Sequence, residues 1–167
     1  QVQILSGIYT DGGADYRVSY PVNRVPVSKP QGISAGYLRP SDGLIQMGTG
    51  PGADRGGILW DGVHYRVMGT KLVSITSAGV VATLGDVGSG GYCSFAYSFE
   101  RLAISSGGRL YYWDKTTISQ VTDPDLLQSL SVCWVDGYFV STDGEYIIVT
   151  DLNDPFSINI LKYGSAE

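Results

Sequence analysis

The run Ile58-Leu59-Trp60, then Tyr65-Arg66-Val67, the turn Gly69-Thr70-Lys71 and Leu72, recurs in altered form along this chain. Val67, Ile104 and Val140 each close a short strand before a turn, at a period of roughly 37 residues. The three turns are Gly69-Thr70-Lys71, Gly107-Gly108-Arg109 and Asp143-Gly144-Glu145, followed by Leu72, Leu110 and Ile147. Each unit opens with a strand, at Ile58-Leu59-Trp60, Cys93-Ser94-Phe95-Ala96-Tyr97 and Val132-Cys133-Trp134-Val135, and holds a last one near Val81, Ile118 or Ile158. Four short strands every ~40 residues, joined by tight turns, are the mark of a β-propeller blade. The spacing predicts three consecutive four-stranded antiparallel units over 58–161. A generic antiparallel sandwich is the competing topology.

Composition agrees with an all-β class. The chain has 167 residues with 23 glycines, 7 prolines and 12 tyrosines, and it is 43% hydrophobic but only 16% charged. That is enough apolar material for a core and excludes a disordered, solvated chain. The net charge is −5, and no window carries a basic cluster, so a surface that tracks nucleic-acid phosphates is not expected. No apolar run approaches the ~18 residues of a membrane span. Gln1 to Ala14 lacks the basic flank of a secretory signal, and a first residue other than Met points to processing or to a piece of a longer protein. Cys93 and Cys133 cannot form a disulfide framework; they fit a reducing compartment.

Outside the repeat the sequence changes character. Pro21, Pro26, Pro30, Pro40 and Pro51 each remove a ladder N–H, so residues 1–55 read as an irregular, Pro/Gly-rich arm with loops. Gly48-Thr49-Gly50-Pro51-Gly52 reads as a flexible hinge into a partial β-propeller at 56–167. Asp123-Pro124-Asp125 looks like the capped start of a short helical turn ending near Leu130. Closed propellers take ~4 to 8 blades, so three leave bare faces for further sequence or another chain to cover.

The chemical motifs weigh against catalysis. Gly32-Ile33-Ser34-Ala35-Gly36 spells a nucleophile elbow, but Lys29-Pro30 before it and Tyr37-Leu38-Arg39-Pro40 after it leave no room for the required helix. The only histidine, His64, alternates with Arg66 opposite Tyr65 and Val67, on the solvent side of its strand. Asp151-Leu152-Asn153-Asp154 begins like a calcium loop, but Pro155 follows where a ligand belongs. Cys93 and Cys133 fall on the first strands of successive units and read as equivalent, buried free thiols. Asp143 with Glu145, and Asp123 with Asp125, sit on turns where solvated acids are the default, although paired carboxylates serve glycosidases. Tyr111-Tyr112-Trp113, with Tyr92 and Tyr97, could line a sugar-binding surface or fill seams between blades. The chain is expected to be no enzyme, with no catalytic residue, metal ligand or cofactor.

The ordered set Gly13-Ala14-Asp15-Tyr16, Tyr20-Pro21-Val22-Asn23, Gly36-Tyr37-Leu38-Arg39, Arg55-Gly56, Tyr65-Arg66-Val67, Gly69-Thr70-Lys71-Leu72, Gly85-Asp86-Val87, Asp143-Gly144 and Thr150-Asp151-Leu152-Asn153-Asp154 resembles the packaged-DNA stabilisation proteins of short-tailed enterobacterial phages. The likeness covers nearly the whole chain and corresponds to the N-terminal portion of such proteins; residues 48–52 and 115–131 depart from the pattern. The resemblance implies a virion structural protein of the tail hub, made in the host cytoplasm. Such a protein closes the DNA exit channel after packaging and supports the tail needle and spikes. It implies as partners other copies in a hexameric ring, the remainder of the same protein, the portal adaptor, the needle and the tailspike, without membrane or tight nucleic-acid binding. Asp15, Tyr16, Pro21, Asn23, Tyr37, Leu38 and Arg39, in the arm motifs, are the expected assembly contacts. The competing function is a carbohydrate-binding propeller, which would bring aromatic rings and acids together at one end of the blades.

Overall fold

The structure is a computed structural model that describes residues 23–28, 36–152 and 154–165. The chain divides into two units, Gln1–Ile45 and Gln46–Glu167. In the first, β1 (Arg24–Ser28) and β2 (Gly36–Pro40) pair antiparallel, with Pro26 opposite Leu38 and Val27 opposite Tyr37. Within the irregular arm the structure thus adds a short two-stranded ribbon. A two-stranded ribbon leaves one side of each strand unpaired, so a residue lacking an N–H is tolerated within it.

The second unit is a stack of three separate four-stranded antiparallel sheets, as the repeat predicts. Blade 1 comprises β3 (Asp54–Trp60), β4 (Val63–Met68), β5 (Lys71–Ile75) and β6 (Val81–Asp86). Blade 2 comprises β7 (Ser94–Tyr97), β8 (Leu102–Ser106), β9 (Arg109–Trp113) and β10 (Ile118–Gln120). Blade 3 comprises β11 (Ser131–Val135), β12 (Tyr138–Thr142), β13 (Tyr146–Val149) and β14 (Gly164–Ser165). The first hairpins of blades 1 and 3 close through Asp61-Gly62 and Asp136-Gly137, all four residues at positive φ. This is the two-residue turn whose twist matches that of the strands, and Asp-Gly is among its preferred sequences.

Two details of the expected blades change. The fourth strand of blade 3 is β14, not a strand at Ile158, which makes only an isolated bridge to Thr150. The backbone between them is diverted through a 3-10 turn, Ile160–Lys162, whose cap Asn159 accepts the Leu161 N–H at 3.0 Å. Asp123-Pro124-Asp125 forms a turn without a helix: the Asp123 carboxylate accepts from the Asp125 N–H at 2.9 Å and from the Ile158 N–H at 2.9 Å. The carboxylate that would have capped a helix is thus shared with a distant segment.

Period-two alternation explains the core. In blade 2, Leu102, Ile104, Tyr111 and Trp113 pack with Trp60, Tyr65, Val67 and Leu72 of blade 1. The intervening Ala103, Leu110 and Tyr112 pack with Val132 and Phe139 of blade 3. Both faces of this middle sheet are therefore buried, each large side chain contributing about 1.5–3 kcal/mol. Tyr111-Tyr112-Trp113 fills the two seams rather than a surface.

Candidate interaction surfaces

Among the expected assembly residues, Asp15, Tyr16 and Pro21 lie outside the described residues. Asn23 sits at positive φ just before β1 and its carbonyl accepts the Ser41 N–H at 2.9 Å. On β2, Tyr37 is 55% exposed and Arg39 is exposed on the same side of the strand, while half-buried Leu38 points the other way. Arg39 meets Asp42 at 3.6 Å, a solvated pair of little energetic weight. The hairpin thus offers an aromatic ring and a cation side by side.

The blade joints contain a device absent from the sequence reading. Arg55, on β3, is only 6% exposed. Its guanidinium donates to the carbonyls of Gly69 (2.8 Å), Gly88 (2.7 Å) and Gly91 (2.7 Å) and to the Ser106 hydroxyl (2.8 Å). One side chain thereby fastens a turn of blade 1, the connection between blades and the end of β8. Between blades 2 and 3 the corresponding work falls to small hydroxyls. Ser105 donates to the Ser129 carbonyl at 2.7 Å and Ser141 to the Ser129 hydroxyl at 2.8 Å, all three residues buried. The clue to Arg55 was a lone arginine inside a strand pattern beside a glycine, too common a feature to read.

The outward faces of the stack differ. On blade 1, Arg66 pairs with Asp54 (Nε to Oδ1, 2.7 Å) and Lys71 with Asp86 at 2.8 Å. The Arg66 hydrogen bond holds the Asp54 carboxyl below the ordinary range; Lys71, the Gly88 N–H and Thr70 hold Asp86 at about 2. Residues 48–52 lie against this blade. A methyl group on Gly48 would strike the Gly79 carbonyl, one on Gly50 the Met68 sulfur, and one on Gly52 would come 2.8 Å from Gly69 Cα. The glycines expected to act as a hinge therefore serve close approach. On blade 3 the register places Cys133, Val140 and Val149 in one row, with Val135 opposite Tyr138 and Ile147 opposite Thr142 on the same face. Val135 is 54% and Ile147 41% exposed. This face is mostly apolar and is bordered by the Lys162–Asp151 pair near Tyr138.

Cys133 is accordingly exposed, which corrects the expectation of two equivalent buried thiols. Both cysteines are free; Cys93 precedes β7 and is half-buried, and burial pushes its thiol up. The one-residue offset between them puts Cys133 on the outward side of its strand.

A cleft opens where the first hairpins of the three blades end. One part, of about 330 Å³, is lined by Ser98, Phe99, Glu100, Arg101, Trp134 and Asp151, among others. The adjoining part, of about 320 Å³, shares Ser98, Phe99 and Trp134 with it and adds Trp60, Asp61 and Tyr97. Blade 2 closes its first hairpin with the longer loop Ser98-Phe99-Glu100-Arg101, where blades 1 and 3 use Asp-Gly. The Ser98 hydroxyl accepts the Arg101 N–H at 3.0 Å and the Trp60 indole donates to the Ser98 carbonyl at 3.0 Å, so the loop is held while Phe99 stays 96% exposed.

The remaining motif residues are occupied locally. Ser34 lies outside the described residues. His64 is half-buried on β4, 3.5 Å from Arg66. The Asp143 carboxylate accepts from Tyr146 (2.7 Å) and Glu145 (2.9 Å) N–H groups, which hold it below the ordinary range. Asp151 pairs with Lys162 and accepts from Ser157 at 3.3 Å. Among the described residues no cluster of three or more His, Cys, Asp or Glu side chains could hold a metal ion, and no helix is long and apolar enough to cross a membrane.

Comparison with known proteins agrees with this architecture. No curated protein matches the chain. Residues 1–167 match the family described as Bacteriophage P22 Gp10, beta-propeller. With that match running the full length, and three propeller-like blades beneath it, the chain belongs to the phage-stabilisation family of P22 Gp10, a family of phage structural proteins.

Proposed function

We propose that this chain serves the phage tail hub as a non-enzymatic structural element. In this reading it closes the DNA exit channel after packaging, stabilises the packaged genome and supports the needle and spikes. The observation that carries the reading is the outward face of blade 3. An apolar sheet face of this kind marks an interaction surface, and the two buried seams of the same stack indicate how such a face is satisfied, by another four-stranded sheet. That sheet is supplied by the remainder of the same protein, and the exposed Tyr37 and Arg39 meet neighbouring hub copies or the portal adaptor. A net charge of −5 suits a wall along which a DNA duplex slides without sticking.

The test is a phage carrying Tyr37→Ala with Arg39→Ala. Its heads should assemble and package, but the particles should lose DNA on storage, read as genome copies per particle. Particles that keep their genomes overturn the assembly role of the hairpin. A gel-shift titration of the isolated chain should find no duplex binding at physiological salt, and a tight complex would overturn the sliding-wall part of the proposal.

A further inference from the structure

The cleft at the hairpin ends lies apart from the assembly contacts above, although Trp60, Trp134 and Phe139 on its walls also pack in the seams between blades. Three aromatic rings border it with surface to spare: Phe99 is 96% exposed, Tyr97 48%, and Trp134 is half-buried and lines both parts. Trp60 plays a different part. It is 4% exposed, its indole holds the Ser98 carbonyl, and Lys115 sits over its ring at 4.9 Å. Beside the open rings stand groups of both signs, Glu100, Arg101 and Asp151. The Tyr112 hydroxyl, buried and with no hydrogen-bond partner, lies behind this wall: its ring packs on Phe139 of the lining at 5.0 Å.

We infer that this cleft binds a pyranose oligosaccharide, one sugar ring stacking on Phe99 and Tyr97 and a second on Trp134. A pyranose has an apolar C–H face and a rim of hydroxyls. It therefore needs flat rings next to donors and acceptors, the combination that the four-residue Ser98–Arg101 loop creates. Carboxylates accept from sugar hydroxyls, the guanidinium donates to them, and the mixed signs favour a neutral or weakly charged chain over a polyanion. A purely apolar partner would desolvate the charges of Glu100 and Arg101 without offering them hydrogen bonds. The inference stands independently of the hub reading, because it uses a different surface.

The test is to probe the 167-residue chain on an array of defined oligosaccharides and to titrate the strongest binder, following tryptophan fluorescence. At least one pyranose oligosaccharide should bind and change the tryptophan emission, and Trp134→Phe should remove most of that change. Phe99→Ala and Tyr97→Ala should each weaken that binding about tenfold, and Phe99→Trp should retain it. Phe99 is almost fully solvent-exposed, so circular dichroism and the thermal midpoint of Phe99→Ala should not move, and those of half-exposed Tyr97→Ala should move only slightly. An array without a binder, or a binder that tolerates both alanine variants, overturns the inference. A chain that captures protein but no glycan overturns it as well.

Discussion

The outward faces of blades 1 and 3 are built on the same four-stranded plan and finished in opposite ways. Blade 1 crosses its face with Arg66–Asp54 and Lys71–Asp86, and Val73, in register with Arg66, is fully buried. Blade 3 presents Cys133, Val135, Tyr138, Val140, Ile147 and Val149. Blade 1 thus carries ion pairs on its outward face beside the exposed Leu59, whereas the outward face of blade 3 is mostly apolar. The difference gives the stack a direction, and four experiments break or sharpen it.

The largest effect concerns the joint behind the ion-paired face. Arg55→Ala removes donors from three part-buried carbonyls and a buried hydroxyl and should cost roughly 2–4 kcal/mol, read from urea unfolding. Ser105→Ala in the other seam removes one hydroxyl bond and should cost about 1 kcal/mol. Equal losses would show that the two joints do not differ as their hydrogen bonds indicate.

Next come the faces themselves. Val135→Asp with Ile147→Asp should reduce binding of a hydrophobic dye several-fold, with unfolding shifted by less than about 1 kcal/mol, because both side chains are already partly solvated. Thr83→Asp on blade 1 should leave dye binding unchanged. A dye signal that ignores blade 3 would remove the contrast.

Thiol chemistry sharpens the same comparison on a finer scale. Denatured without reductant, the chain should yield two free thiols. In the native chain Cys133 should react about tenfold or more faster than Cys93, whose thiolate is disfavoured by burial. Covering blade 3 with its partner should slow Cys133 alone.

The smallest effect is acid sensitivity on blade 1. Lys71, the Gly88 N–H and Thr70 lower the Asp86 carboxyl to about 2 in the folded state, below the value it takes when unfolded. Its contribution is therefore complete above about pH 4 and is lost as pH falls toward 2. Asp86→Asn should flatten the thermal midpoint over that window and lower it above about pH 4 by only about one to two degrees, the same small contribution, since the pair is solvated. A variant with the original acid slope would place the titration elsewhere.

The repeat was legible because its information is local. Alternating side chains at Tyr65-Arg66-Val67, glycine turns at Gly69 and Gly107, and a period of roughly 37 residues are properties of neighbours in sequence. The β1–β2 hairpin was missed because prolines were counted against any strand, whereas a ribbon with free sides accepts Pro26. The exposed Cys133 was missed because a shift of one residue along a strand reverses the face.

By itself, then, the sequence determined an all-β chain of three propeller-like blades, through backbone hydrogen bonding and side-chain alternation set within a few residues. Only the tertiary structure decided that Arg55 reaches Gly91 and Ser106, that Trp60, Phe99 and Trp134 border one cleft, and that blade 1 carries ion pairs where blade 3 is mostly apolar. Those facts depend on how sheets separated by a whole repeat lie against each other. Such packing is selected by the shape and polarity of complete faces, and no short window of residues contains a complete face.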